Sequence, residues 1–130
     1  MVNAQVCVRG VPSDYDHWAA AGASGWSYED CLPYFRKLEN DLDFKGPLHG
    51  NRGRVLLKRI FPEQWDPFSL AFKNCLGAAG IPYAEDSHAT PGDGCFPFVK
   101  NHVDGRRISS AVAYLDRETR RRGNLSIRAD

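Results

Sequence analysis

Residues Asn3–Trp18 read NAQVCVRGVPSDYDHW, and the rest of the chain is organised around them. Val6, Cys7 and Val8 form an apolar run too short for an amphipathic helix and suited to a buried extended segment. Arg9-Gly10 break the run, Pro12 stiffens the turn, and Ser13 stands where a helix N-cap is expected. Asp14 and Asp16 follow in the first turn, where the helix dipole favours acidic side chains. The residues by themselves give an apolar segment, a tight turn and a short helix bearing Trp18.

A chain of 130 residues is about one domain and can bury a core without disulfide or metal staples. Hydrophobic residues at 42% and charged residues at 25% are ordinary for a globular protein. The net charge of +1 argues against a general nucleic-acid binder but hides an asymmetry: residues 1–99 carry −3 and residues 100–130 carry +4. Arg120-Arg121-Arg122 is the only basic run, and residues 116–123 contain no aromatic to interleave with it. That pattern reads as a solvated helix end rather than a nucleic-acid surface. Cys7, Cys31, Cys75 and Cys95 lie too far apart for metal-ligand or thioredoxin spacing. The first three sit on apolar stripes, which implies buried reduced thiols and a cytoplasmic setting. No apolar run approaches the ~20 residues of a membrane span, and no signal-peptide pattern is present.

Further along, Gly22 and Gly25 suit a C-cap and loop after the first helix. Ser27, with Asp30 three residues on, marks a second helix start in an imperfect capping box. Cys31, Leu32, Phe35 and Leu38 form one face at helical spacing, and Pro33 inside it predicts a kink or a tight first turn. Residues 40–53, NDLDFKGPLHGNRG, read as a long loop of the kind that forms lids or binding loops. His49 within it reads as a surface turn residue rather than a ligand or base. Arg54–Ile60 is a candidate strand. The clearest helix is capped by Asp66, opened by Pro67 and ended by Gly80, with Phe68, Ala71, Phe72, Cys75, Leu76 and Ala79 as its buried stripe. Gly92-Asp93-Gly94 lacks the third glycine and the preceding strand of a dinucleotide fingerprint. Residues 95–100 read as an edge or bulged strand because of Pro97. Asp104-Gly105 marks a turn into a return strand. Ser109 or Ser110 then caps a helix, with Ala111, Val112 and Leu115 inward and Gly123 as its stop. Leu125 and Ile127 alternate as in a strand.

The order of residues resembles the glucose–methanol–choline (GMC) family of flavin oxidoreductases. Asn3, Arg9, Gly10, Asp14, Asp16 and Trp18 fall on that family's places for an Asn, an Arg-Gly and an Asp-rich turn ending in Trp. GWSYEDCLPYFRK (Gly25–Lys37) is close to a second family string, and GPLHG (46–50) to a third. Gly105–Arg107, Ser110–Val112, Ala113–Leu115 and Gly123–Ile127 match a fourth region. The resemblance covers essentially the whole chain but only a middle portion of such an enzyme.

The resemblance implies an α+β fragment of the two-domain GMC fold, with helices packed on a few short strands. It joins the end of the FAD-binding Rossmann-like domain to part of the substrate domain. The implied division is 1–25 as the end of the FAD-binding motif, 26–53 as a helix and lid-like connection, 54–108 as part of the substrate domain, and 109–130 as a helix and strand returning toward the FAD domain. The implied activity is oxidation of an alcohol CH–OH group by hydride transfer to flavin N5, with FAD as cofactor and a small alcohol as substrate. Asn3 matches a flavin-contacting position, with Ala4 and Val6 as adjacent backbone contacts. Gln5 stands where Met is common, and Cys7 replaces the usual aromatic or small residue. Phe96, Phe98 and the 85–94 loop match the substrate side. The phosphate-binding glycines and the catalytic His pair of the family are missing. None of His17, His49, His88 or His102 matches the catalytic position, so no catalytic or metal-binding residue is carried over. The chain alone is then expected to be inactive and to need the rest of the GMC polypeptide as partner. The alternative is a catalytically inactive stand-alone binding or interaction module derived from the same scaffold.

Overall fold

Burial along Val55–Arg59 alternates, with Val55, Leu57 and Arg59 turned inward and Lys58 exposed. That alternation places the sheet on which the rest of the chain is laid. The structure is a computed structural model that describes residues 5–90 and 92–128; Asn3 and Ala4 lie outside the described residues. Strand β1 (Glu39–Asp41) runs parallel to β2 (Val55–Arg59), with Glu39 opposite Val55 and Asp41 opposite Leu57. Strand β3 (Val99–Lys100) lies antiparallel on the other side of β2, giving the order β1-β2-β3. The opening segment adds to the free side of β3 through a bridge between Val6 and Lys100. The Cys7 N–H donates to the Val99 carbonyl at 2.8 Å, and the Asn101 N–H donates to the Gln5 carbonyl at 3.0 Å. Val55, Leu57, Val99 and Ala113 form the buried core, with Cys7 and Ile108 against it.

Strand β1 is a departure from the loop expected over 40–53. It follows directly on helix α2 and is flanked on its other side by the 50–53 segment, which bonds to it through Asn51 and Gly53. Its residues are Glu, Asn and Asp, so no apolar alternation announces it. The charges are buried instead, Glu39 at 3% and Asp41 at 0% exposure.

Helix α1 (Pro12–Ala20) begins one residue before Ser13. Val11 is its N-cap, Pro12 fills the first helical position, and the Asp14 carboxylate accepts the Val11 N–H at 2.9 Å. Tyr15 is the buried centre of a ring cluster with Trp18, Tyr28 and Phe35, at centroid distances of 5.3, 5.9 and 5.6 Å. Its hydroxyl accepts the Gly10 N–H at 3.0 Å. Helix α2 (Tyr28–Leu38) has the reciprocal Ser27–Asp30 box and runs without a break through Pro33.

Helix α3 (Pro67–Ala78) keeps its Asp66 cap, and Gly80 takes the left-handed backbone (φ 83°) that ends the turn. Its apolar stripe, however, is not buried: Phe68 is 79% and Phe72 57% exposed, and Cys75 is exposed as well. The half-buried face is the one carrying Ser69, Leu70, Lys73 and Leu76. Strands β4 (His102–Val103) and β5 (Arg106–Arg107) form the expected hairpin. Asp104 and Gly105 both have positive φ (49° and 75°), as a two-residue hairpin turn demands. The helix expected from Ser109 to Gly123 is two: α4 (Ser110–Tyr114), capped by Ser109, and α5 (Arg117–Arg120), capped by Asp116. Asp116 accepts the Thr119 N–H at 2.7 Å and so starts a new helix. Ala113 is the buried residue of α4, while Ala111 and Val112 are exposed. Leu125 and Ile127 form no strand among the described residues and are 37% and 47% exposed.

Gly50 fixes the approach of the 46–53 loop to the end of α2, because a Cβ there would collide with the Arg36 and Glu39 carbonyls. Gly77, in α3, faces open space. Gly50→Ala is expected to lower stability by about 3 kcal/mol through forced backbone displacement. Gly77→Ala is expected to raise it by about 0.5–1 kcal/mol through helix propensity. Urea melts of the two variants check both signs; equal effects would contradict the packing described.

Candidate functional site

The buried end of the sheet is a charge cluster. Arg59, on the last residue of β2, has a side chain with no exposed surface. Its Nη1 donates to both Asp41 oxygens, at 2.9 and 3.0 Å, and its Nη2 lies 3.5 Å from Asp86 Oδ1. Its backbone N–H donates to Asp43 Oδ2 at 2.6 Å, and its guanidinium lies over the Phe44 ring at 4.6 Å. Beside it, Arg9 Nη2 lies 2.6 Å from Glu39 Oε1, and Arg9 Nη1 donates to the Leu48 carbonyl at 2.8 Å. Glu39 Oε1 also accepts the Gly50 N–H at 2.9 Å. His49, expected at the surface, is buried at 7% exposure between these groups. Its Nε2 is 2.8 Å from Asp86 Oδ2, and its Nδ1 is 3.0 Å from Asp41 Oδ2.

Burial alone would raise the Asp41 carboxyl. Hydrogen bonds from Arg59, Phe44 and Asp43, together with the Arg59 charge, outweigh it and hold the group below the usual carboxylate range. His88 stacks on His49 at 6.1 Å, and neither of its ring nitrogens has a hydrogen-bond partner. Burial first, then the Arg9 and Arg59 charges, push it down to about 4 against the pull of Asp86. Asp41, His49 and His88 bring possible ligand atoms within 4.8 Å of one another. Arg59 already occupies both Asp41 oxygens, however, and its charge opposes a cation at that place. The cluster acts as an ionic lock joining the opening segment, β1, the 46–50 loop, β2 and the 85–88 turn. Sequence spacing could not show it, because its members are spread from Arg9 to His88; the one local signal was the density of acids over 39–43.

The opposite face of the sheet is open. Directly paired residues point to the same side, so Lys58, Lys100 and Val6 share the outer face while Arg59 and Val99 point inward. Val6 is 40% exposed. Its bridge is the kind in which the neighbours make the hydrogen bonds, so its own N–H and C=O point away from β3 and have no partner among the described residues. Phe98 is 65% exposed on the same side as Lys100, and Phe96 is half-buried. A cavity of about 440 Å³ lies between Trp65, Phe68, Phe72, Phe96 and Phe98. Of the residues expected to touch a flavin, the structure describes only Val6, on this open edge. All four cysteines are free. Cys7 is half-buried, and burial, then the Glu39 charge, pushes its thiol up.

The sequence model of the family described as GMC oxidoreductase matches residues 1–130. The chain is 43% identical over 127 residues to the 5-(hydroxymethyl)furfural oxidase of Methylovorus sp. strain MP688, covering 97% of this chain and 24% of that protein. It is 37% identical over 114 residues to the oxygen-dependent choline dehydrogenase of Brucella anthropi, covering 88% of this chain and 20% of that protein. Among solved structures, pyridoxine 4-oxidase from Mesorbium loti superposes with a TM-score of 0.87 at 29% identity, over 96% of this chain and 25% of that one. An FAD-dependent oxidoreductase from Chaetomium thermophilum superposes with a TM-score of 0.77 at 29% identity, over 92% of this chain and 23% of that one. The chain thus spans about a quarter or less of the length of these relatives. The α+β architecture read from the sequence is that of these structures.

His88 is neutral when folded, whereas an unfolded histidine takes up a proton near pH 6.5. Its depressed folded value leaves stability complete above about pH 6.5 and removes it as pH falls toward 4, by about 3 kcal/mol in all. Urea melts between pH 7 and 4 are expected to show that loss, and His88→Phe is expected to flatten it. An equally steep loss in the variant would contradict the assignment.

Proposed function

This chain belongs to the GMC oxidoreductase family, and on that premise we propose that it forms one wall of the flavin site and part of the substrate side in an FAD-dependent enzyme that oxidises the CH–OH group of an alcohol. The observation that carries the reading is the Val6 edge. A backbone N–H and C=O without partners among the described residues, on a half-exposed segment pinned to β3, suit the donor-and-acceptor rim of an isoalloxazine ring. Asn3 would add its side-chain amide to that rim, and Ala4 a backbone contact. When bound, FAD supplies the redox chemistry by accepting hydride at flavin N5. The residues of this chain bind and orient: the ionic lock holds β1 to β2, β2 pairs with β3, β3 holds the 5–8 edge, and Phe96 and Phe98 flank the space where a substrate would lie.

The relatives named above include oxidases of 5-(hydroxymethyl)furfural and of pyridoxine and a choline dehydrogenase. They support a small hydroxyl-bearing molecule as substrate, and the binding-module alternative gains nothing from them. In this reading residues 1–25 end the FAD-binding motif, 26–53 connect, 54–108 begin the substrate domain and 109–130 return toward the FAD domain. The phosphate grip and the catalytic histidine come from other parts of the polypeptide, so these residues alone are inactive. Among the described residues no helix is long and apolar enough to cross a membrane. The free thiols suit a reducing compartment, the cytoplasm.

The complete protein carrying these residues is expected to purify with a flavin band near about 450 nm that bleaches anaerobically on adding a primary alcohol. Asn3→Ala is expected to keep the flavin and lower kcat/KM by about tenfold to a hundredfold. A complete protein without flavin, or a bound flavin that no alcohol reduces, would refute the reading.

A further inference from the structure

Lys58 and Lys100 are directly paired across β2 and β3 and point to the same outer face. Like charges in that position repel, and neither ammonium has a carboxylate partner among the described residues. Arg59 is no part of this charge, since its guanidinium lies on the other face against Asp41. Gln5, Lys58, Gln64, Lys100, His102 and Asp104 line a cavity of about 490 Å³ on this face. Asp104, in the β4–β5 turn, is the one carboxylate among its lining residues. Gln5 is a non-glycine residue held in the left-handed region (φ 67°), a strained backbone of the kind found at ligand sites. The cavity shares Ile60, Gln64 and Lys100 with the aromatic one lined by Trp65, Phe96 and Phe98. A ring-lined compartment, with Asp66 on its wall, therefore opens onto a pair of ammonium groups without an ion-pair partner among the described residues, next to Val6.

We propose that this double cavity takes an aromatic alcohol that also bears a carboxylate. The ring lies among Trp65, Phe96 and Phe98, and the carboxylate lies between Lys100 and Lys58. A carboxylate there relieves the repulsion between the lysines and accepts charge-assisted hydrogen bonds from both. The ring faces supply stacking partners. The alcohol half of the proposal rests on the function proposed above; the carboxylate half rests on the lysines alone.

Benzoate and benzamide have nearly the same shape and differ in charge, and neither has a hydroxyl to oxidise. In calorimetric titration of the complete, flavin-loaded protein, benzoate is expected to bind at least about tenfold more tightly than benzamide. Added salt is expected to weaken benzoate alone. Lys100→Met and Lys58→Met are each expected to weaken benzoate about tenfold while leaving benzamide within about twofold, which also shows that the variants fold. Lys100→Arg should keep the discrimination. Benzoate binding no tighter than benzamide, or an unchanged benzoate Kd in both Met variants, overturns the proposal even if alcohols are oxidised. Benzoate bound as described by a protein whose flavin no benzylic alcohol reduces upholds the anion site and overturns the alcohol-oxidation reading instead.

Discussion

A guanidinium with no exposed surface, Arg59, held by both oxygens of Asp41 and faced by Asp86, is the constraint on which the rest of this structure depends. Removing two charges from water costs several kcal/mol per ion, and the geometry has to offset that cost. Here it does so with a two-oxygen contact, an aromatic face from Phe44 and backbone donors from Asp43 and Phe44 to Asp41. The same pair crosses from β1 to β2, so it fixes the register of the parallel strands as well as filling the interior. Breaking one partner would leave the other buried and uncompensated, a loss of about 3–5 kcal/mol.

The lock also explains which parts of the chain could be read in advance. Segments organised by apolar periodicity or caps were legible: β2, the Ser27 and Asp66 helix starts, and the Asp104-Gly105 hairpin turn. Segments organised by buried charge were not. Strand β1 spells Glu-Asn-Asp, and His49 sits in a Gly- and Pro-rich string, so both read as solvated loop although both are buried. Arg59 likewise takes an inward position in β2 that no apolar residue marks. The α3 stripe failed for the opposite reason. Its spacing is that of a buried face, but Phe68 and Phe72 stay exposed among the described residues. Family-like residue order, rather than any local pattern, is what pointed to flavin chemistry, and Val6 is the only one of the three expected contacts that the structure describes.

Buried charge and open surface are divided between the two faces of one small sheet. The inner face carries Arg59, Val99 and the charge cluster, whose side chains are buried. The outer face carries Val6, Lys58, Lys100 and Phe98, where groups remain available. Pairing forces this separation: alternate residues of a strand go to opposite sides, so the residue that locks the sheet and the residue on its open face are neighbours in sequence. Lys58 and Arg59 are that pair.

The most direct test of this dependence is amide hydrogen exchange in the protein with and without the lock. The Leu42 N–H reports the β1–β2 junction, and the Cys7 and Asn101 N–H groups report the attachment of the 5–8 edge to β3. In Arg59→Met, protection at all three sites should fall together and by the same factor, because β2, which carries the lock, also pairs with β3, to which the 5–8 edge is attached. Loss at Leu42 with unchanged protection at Cys7 and Asn101 would contradict the account, since the 5–8 edge would then stand without it.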